Sequence, residues 1–151
     1  ELDPVWCGWL SVEEPEDFER HDQPLKPSAA RFEPGTRNNA GIVGLGESVR
    51  LLLEAGMGEV ERRVLYLTDL LVEELRRRGH KVVSPRGERE RSGIVSFVPR
   101  GADPAEVWRR LKEAGVLVSL RRGAIRVSPH FYNSEEDIGA FLDALDGAVS
   151  R

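Results

Sequence analysis

The sequence predicts an α+β fold, a small sheet with helices packed on one face, preceded by an irregular connecting segment and long helices. Three observations carry that expectation. Residues 1–36 contain Pro4, Pro15, Pro24, Pro27 and Pro34 without any sustained hydrophobic period. Residues 38–78 carry apolar side chains at helical spacing. From Gly79 onward, short β-branched runs alternate with helical ones in the order ββαββα.

The first segment reads as a long surface-hugging connection. From Asn38, residues Ile42, Leu45, Val49, Leu52 and Leu53 fall on one helical face, and Gly56 supplies the left-handed residue that ends it. Gly41, Gly44 and Gly46 lack the spacing of a dinucleotide fingerprint, and are read as permitting close helix packing. A second helix buries Val60, Val64, Leu67, Leu71 and Leu75, with Arg76, Arg77 and Arg78 at its negative end before Gly79. Residues 80–84 and 93–98 form strands joined through a solvated loop at 85–92. Asp103 caps a helix that opens on Pro104 and turns Val107, Leu111 and Ala114 inward until Gly115. Strands at 116–120 and 124–128 bracket a turn at 121–123. Ser134 with Asp137 makes a capping box for the last helix, which buries Ile138, Phe141, Leu142, Leu145 and Val149.

At 151 residues, 40% hydrophobic and 32% charged, the chain is long enough for one real core. No apolar stretch spans a bilayer, and Glu1-Leu2-Asp3-Pro4 lacks the pattern of a signal peptide, so no membrane association and a cytoplasmic location are expected. The net charge of −4, with arginines dispersed among glutamates, argues against nucleic acid. Cys7 is the only cysteine; with three histidines and no thiolate cluster, no metal site is expected. Glu1 is not an initiator methionine, which implies a gene that starts earlier.

Among residues suited to chemistry, Arg126 sits in a strand on the face of Ala124 and Ser128, where a planar guanidinium can grip a carboxylate through two parallel hydrogen bonds. Gly35-Thr36 stands before a helix whose first amides favour an anion; equally, Thr36 or Asn38 can simply cap that helix. Trp9 offers one indole N–H and an apolar face beside Gly8, and Trp6 is nearly as well placed. Lys81 reads as an exposed strand-edge lysine and His130 as structural. Fold order alone leaves open an enzyme part and an effector-binding module.

The phrase Arg31-Phe32-Glu33-Pro34-Gly35-Thr36, answered by Arg126-Val127-Ser128 and Tyr132-Asn133, resembles the C-terminal part of a class V aminotransferase, a fold-type I group that includes kynureninases and cysteine desulfurases. The resemblance runs over nearly the whole chain. It implies pyridoxal 5'-phosphate as cofactor, an amino-acid substrate and a homodimer with active sites at the interface. Residues 1–37 would end the large cofactor domain and connect subunits; residues 38–151 would be the C-terminal small domain. Arg126 would bind the substrate's α-carboxylate, while Gly35, Thr36 and Trp9 would reach a phosphate held mainly by the neighbouring subunit. The lysine that holds the cofactor lies upstream of the first phrase in that family, so this chain alone is expected to be inactive and to need the upstream part of the same enzyme. Desulfurases carry a nucleophilic cysteine shortly before the arginine, and the interval 120–125 has none. The alternative is a non-catalytic amino-acid- or anion-binding α+β domain using the same arginine.

Overall fold

A computed structural model describes residues 2–150 and divides the chain into two compact units, Glu1–Leu51 and Leu52–Arg151. In the first, residues 12 and 25 form an isolated antiparallel bridge, and Glu13 N–H donates to Pro24 O. Gln23 sits inside the loop so closed: its amide donates to Glu14 O and Asp17 O and accepts from Glu14 N–H, all at 2.9 Å. A 3₁₀ turn at Ala29–Phe32, capped by Ser28, punctuates a stretch that the sequence shows only as irregular.

Helix α1 spans Asn39–Ala55. Asn38 is its cap, accepting from Gly41 N–H at 3.0 Å. A Cβ on Gly41 would lie 2.4 Å from the Asn38 amide nitrogen, so a larger residue there would shift the capping side chain. Gly44 and Gly46 meet nothing within 4 Å, so close packing does not explain them. The apolar residues of α1 occur around much of its circumference, and the helix buries none: Ile42 is 57% and Leu45 65% exposed.

The second unit is the α+β domain expected. Helix α2 (Met57–Arg77) follows Gly56, whose φ of 82° is left-handed. Leu67, Leu71 and Leu75 are fully buried, while Val60 and Val64 near its start are half-buried. Strands β1 (Lys81–Val82), β2 (Val95–Val98), β3 (Ser119–Arg121) and β4 (Ala124–Val127) make one antiparallel sheet in the order β1-β2-β4-β3. Each is shorter than or offset from its sequence-predicted bounds. Val116 leaves the predicted third strand because its N–H donates to Leu111 O, finishing the helix before it. Helix α3 (Pro104–Glu113) starts as expected, Asp103 accepting from Ala105 and Glu106 N–H at 3.0 Å. Ala114 is its C-cap and is exposed rather than inward. Helix α4 (Glu135–Val149) has the predicted capping box, and Ala148 is buried where Val149 is only half-buried.

The core lies on one face of the sheet, where Val95, Phe97, Ile125 and Val127 meet Leu67, Leu71, Leu75, Val107, Leu111 and the apolar stripe of α4. The β1–β2 loop is solvated as its composition implies, exposed at every position from 85 to 92 except Arg86, and is tied down at two points. Arg86 and Arg91 both pair with Asp69 of α2, and Arg86 also donates to Ser92 O at 3.2 Å.

His80 closes the lower end of this core. Its Nδ1 accepts from Arg100 N–H at 3.0 Å, and its Nε2 is buried without a partner. Burial pushes its pKa down, the charges of Arg78 and Arg100 add to that, and Asp146 opposes it. Because the folded state holds the imidazole proton less tightly, the unfolded chain binds more protons below its own His pKa of about 6.5. Stability contributed by neutral His80 is therefore complete above that pH and lost as pH falls through it. Urea unfolding at pH 8 and pH 5.5 checks this: His80→Gln, which keeps an acceptor for Arg100, removes part of the acid sensitivity, and equal sensitivity in both proteins contradicts it.

Candidate functional site

The first unit brings together two of the sequence-predicted residues, Trp9 and Gly35. Ser11, fully buried, is the knot that does so: it accepts from Gly8 N–H at 3.2 Å and donates to Glu33 O at 3.3 Å, while Lys26 N–H donates to its carbonyl. The Gly8–Ser11 turn is thereby pressed onto Pro34-Gly35. A Cβ on Gly8 would stand 1.9 Å from Pro34 O, so only glycine allows this approach. A Cβ on Gly35 would lie 3.5 Å from Trp9 Nε1, which places the indole N–H beside Gly35. Trp9 leans its ring on Phe18, with centroids 6.2 Å apart, and keeps its indole nitrogen beside Gly35. Trp6 is 84% exposed against 44% for Trp9 and makes no such contact among the described residues. Since Asn38 caps α1, the Thr36 hydroxyl is not used for that purpose. Arg31 braces the phrase by donating to Pro27 O at 3.1 Å, and Arg37 pairs with Glu33 at 2.7 Å.

The second unit holds Arg126 on the central strand β4. Its register partners are Ser96 of β2 and Ser119 of β3. Since Ile125 and Val127 face the core, Arg126 and the two serines share the opposite face. Its Nε is enclosed without a hydrogen-bond partner, and no carboxylate among the described residues pairs with it. The two Nη groups are thus the ones open to a ligand. The β3–β4 connection is a two-residue turn, Arg122-Gly123, with φ of 48° and 75°. It has no loop on which a cysteine could sit, and Cys7 belongs to the first unit.

Tyr132-Asn133 has a structural purpose. Asn133 Oδ1 accepts from His130 N–H at 2.8 Å and its amide donates to Asp137 Oδ2 at 3.1 Å, ordering the turn from β4 into α4. Arg63 of α2 fastens that turn, donating to Asn133 O at 3.0 Å and pairing with Glu135 at 2.7 Å; the guanidinium holds the Glu135 carboxyl down to about 2. His130 is exposed and stacks on Tyr132, centroids 4.5 Å apart.

The three lysines of the chain are accounted for. Lys26 Nζ donates to Leu10 O at 2.9 Å, Lys112 lies over the Trp108 ring, and Lys81 is exposed on edge strand β1. Sequence reasoning missed Ser11, Ser96 and Ser119. Buried serine has no periodic signature, and cross-strand neighbours appear only once register is known. Among the described residues no cluster of metal-ligating side chains occurs, and no helix is long and apolar enough to cross a membrane.

Comparison with known proteins is consistent across sequence and structure. The model of the family "Aminotransferase class-V" matches residues 10–141. Isopenicillin N epimerase from Streptomyces clavuligerus is 32% identical over 100% of this chain and 41% of its own length. A probable cysteine desulfurase from Pyrococcus abyssi is 29% identical over 89% of this chain and 37% of its own. The apo structure of a cysteine desulfurase from Thermococcus onnurineus NA1 superposes with a TM-score of 0.82 at 27% identity, covering 98% of this chain and 40% of that one. The chain thus spans about two-fifths of the length of these relatives.

Proposed function

Because the chain belongs to the class-V aminotransferase family of fold-type I pyridoxal-phosphate enzymes, we propose that it is the C-terminal part of an enzyme acting on an amino acid, with Arg126 as the group that grips the substrate's α-carboxylate. The observation that carries this reading is the open guanidinium of Arg126, unpaired on the central strand while its Nε is enclosed. Held between Ser96 and Ser119, it presents two Nη donors in the fixed fork that a carboxylate matches.

The residues present fit the phosphate end of the cofactor. Thr36 has a hydroxyl not used in capping, Trp9 Nε1 lies beside Gly35, and Gly35 carries no side chain to obstruct an anion. In a homodimer these donors would serve the neighbouring subunit's site. When bound, pyridoxal phosphate supplies the electron sink for chemistry at the substrate's Cα. What this chain contributes is orientation: Arg126 fixes the carboxylate, and Thr36 and Trp9 hold the phosphate. None of Lys26, Lys81 and Lys112 suits the covalent anchor, which is assigned to the part of the enzyme outside this chain.

The tight Arg122-Gly123 turn disfavours sulfur transfer, leaving transamination, elimination, hydrolysis and epimerisation. A second reading, an amino-acid- or anion-binding domain without catalysis, is favoured by the same arginine considered alone, since these residues provide a carboxylate grip and no anchor lysine. Borohydride reduction of the full-length protein with pyridoxal phosphate separates the two. The enzyme reading expects a visible absorption band that reduction abolishes, with the modified lysine mapping outside positions 26, 81 and 112. No band supports the binding domain, and stoichiometric modification of Lys81 contradicts the assignment of the anchor.

A further inference from the structure

Most other described arginines of this unit pair with carboxylates; Arg76, Arg89 and Arg100 do not, but they sit apart on α2, the β1–β2 loop and the segment after β2, whereas three unpaired arginines gather at the β3–β4 hairpin. Arg63 is held by Glu135, Arg78 by Glu74 and Asp146, Arg86 and Arg91 by Asp69, and Arg109 and Arg110 by Glu106. Arg121 and Arg122 have no acidic partner among the described residues, and neither does Arg126, although the chain carries a net charge of −4.

Register places two of these three on one surface. Arg121 opposes Ala124, and Ser119 opposes Arg126, so Arg121 and Arg126 are diagonal neighbours on the face away from the core; Leu120 between them packs inward. Diagonal neighbours of an antiparallel pair stand about 7–8 Å apart, within reach of long side chains. Arg122 adds a third cation at the tip of the same hairpin. Its φ of 48° is left-handed, where the fold alone favours asparagine or glycine, so turn geometry does not account for an arginine there.

We propose that Arg121, supported by Arg122, is a second anion contact of the Arg126 site, and that its ligand is a dicarboxylic amino acid. This rests on the reading of Arg126 given above. One carboxylate would take the Nη fork of Arg126 and the other the guanidinium of Arg121, whose exposed side chain is free to close on it. Aspartate and glutamate differ in the spacing of their two carboxylates, and the diagonal separation suits a short acid of this kind.

Calorimetric titration of the full-length protein with L-aspartate, L-asparagine, L-glutamate and L-glutamine provides the test. At least one acid is expected to bind about tenfold more tightly than its own amide, as a charge-assisted contact implies. In the double variant Arg121→Gln, Arg122→Asn, which gives the turn a residue it accepts, that ratio falls to about one. The double variant Arg76→Gln, Arg89→Gln, which removes an equal charge from α2 and the β1–β2 loop, leaves the ratio near ten. A ratio of one for both pairs in the unaltered protein overturns the proposal, as does a ratio that survives the substitution of Arg121 and Arg122. The two layers fail separately. If Arg126→Lys leaves all four ligands unaffected, the α-carboxylate reading is wrong; if it weakens all four while acid and amide bind alike in the unaltered protein, only the second anion contact is wrong.

Discussion

Phe97→Ala is expected to lower the unfolding free energy by about 3–5 kcal/mol, the range for removing a large aromatic side chain from a packed interior. Phe97 is fully buried on β2, pairs across the sheet with Val82 and Ile125, meets Phe141 edge-on with centroids 6.3 Å apart, and lies 5.6 Å from the His80 ring. It touches the layers that define the domain: the sheet, α4 and the turn before β1. The cavity left behind has little chance to collapse, because the strand beneath it is held by ladders on both sides. Denaturant unfolding followed by circular dichroism reads the effect as a lower midpoint at unchanged slope. A loss below about 1 kcal/mol would place Phe97 outside a close-packed core.

Phe97 and the capping residues show which parts of the fold can be read from sequence. Asp103-Pro104 and the Ser134–Asp137 box are local devices, so their helices begin where expected. The sheet was harder to bound, because β1 has only two residues and strand ends depend on partners far along the chain. Val116 illustrates this, since its β-branched side chain suits a strand and its N–H instead goes to Leu111 O. Glycines misled for a related reason. Gly41 serves the Asn38 cap, while Gly44 and Gly46 face open space, and nothing local distinguishes them. The apolar side chains of α1 have the spacing of a buried helix, yet burial depends on a covering surface, and none of its residues is buried.

The candidate site divides along the same line. The face on which Arg126 lies was legible because alternation in a short strand fixes it, and so was the position of Thr36 ahead of a helix start. What its neighbours do was not. That Trp9 lies beside Gly35 follows from the Ser11 knot, a contact spanning residues 8 to 33, and the reason for Gly8 follows from the carbonyl of Pro34. The gathering of Arg121, Arg122 and Arg126 on one hairpin without a carboxylate partner among the described residues likewise emerges only once the strand register is known.

In the full-length protein, Arg126→Lys is expected to weaken amino-acid binding by about 1.5–3 kcal/mol, because an ammonium replaces a planar fork with a point charge. Stability should change little, since the side chain lies on the face away from the core and makes no internal ion pair among the described residues. Retention of pyridoxal phosphate should also persist, because the proposed phosphate donors are Thr36 and Trp9. The ligand's own carboxylate isolates the contact. Calorimetric titration of the unaltered protein and of Arg126→Lys with L-alanine and with L-alaninamide forms a cycle in which only one corner pairs an arginine with a carboxylate. If Arg126 grips the α-carboxylate, alanine loses affinity in the variant by roughly tenfold or more while alaninamide is unaffected. Equal losses for the two ligands, or no loss for alanine, would contradict it.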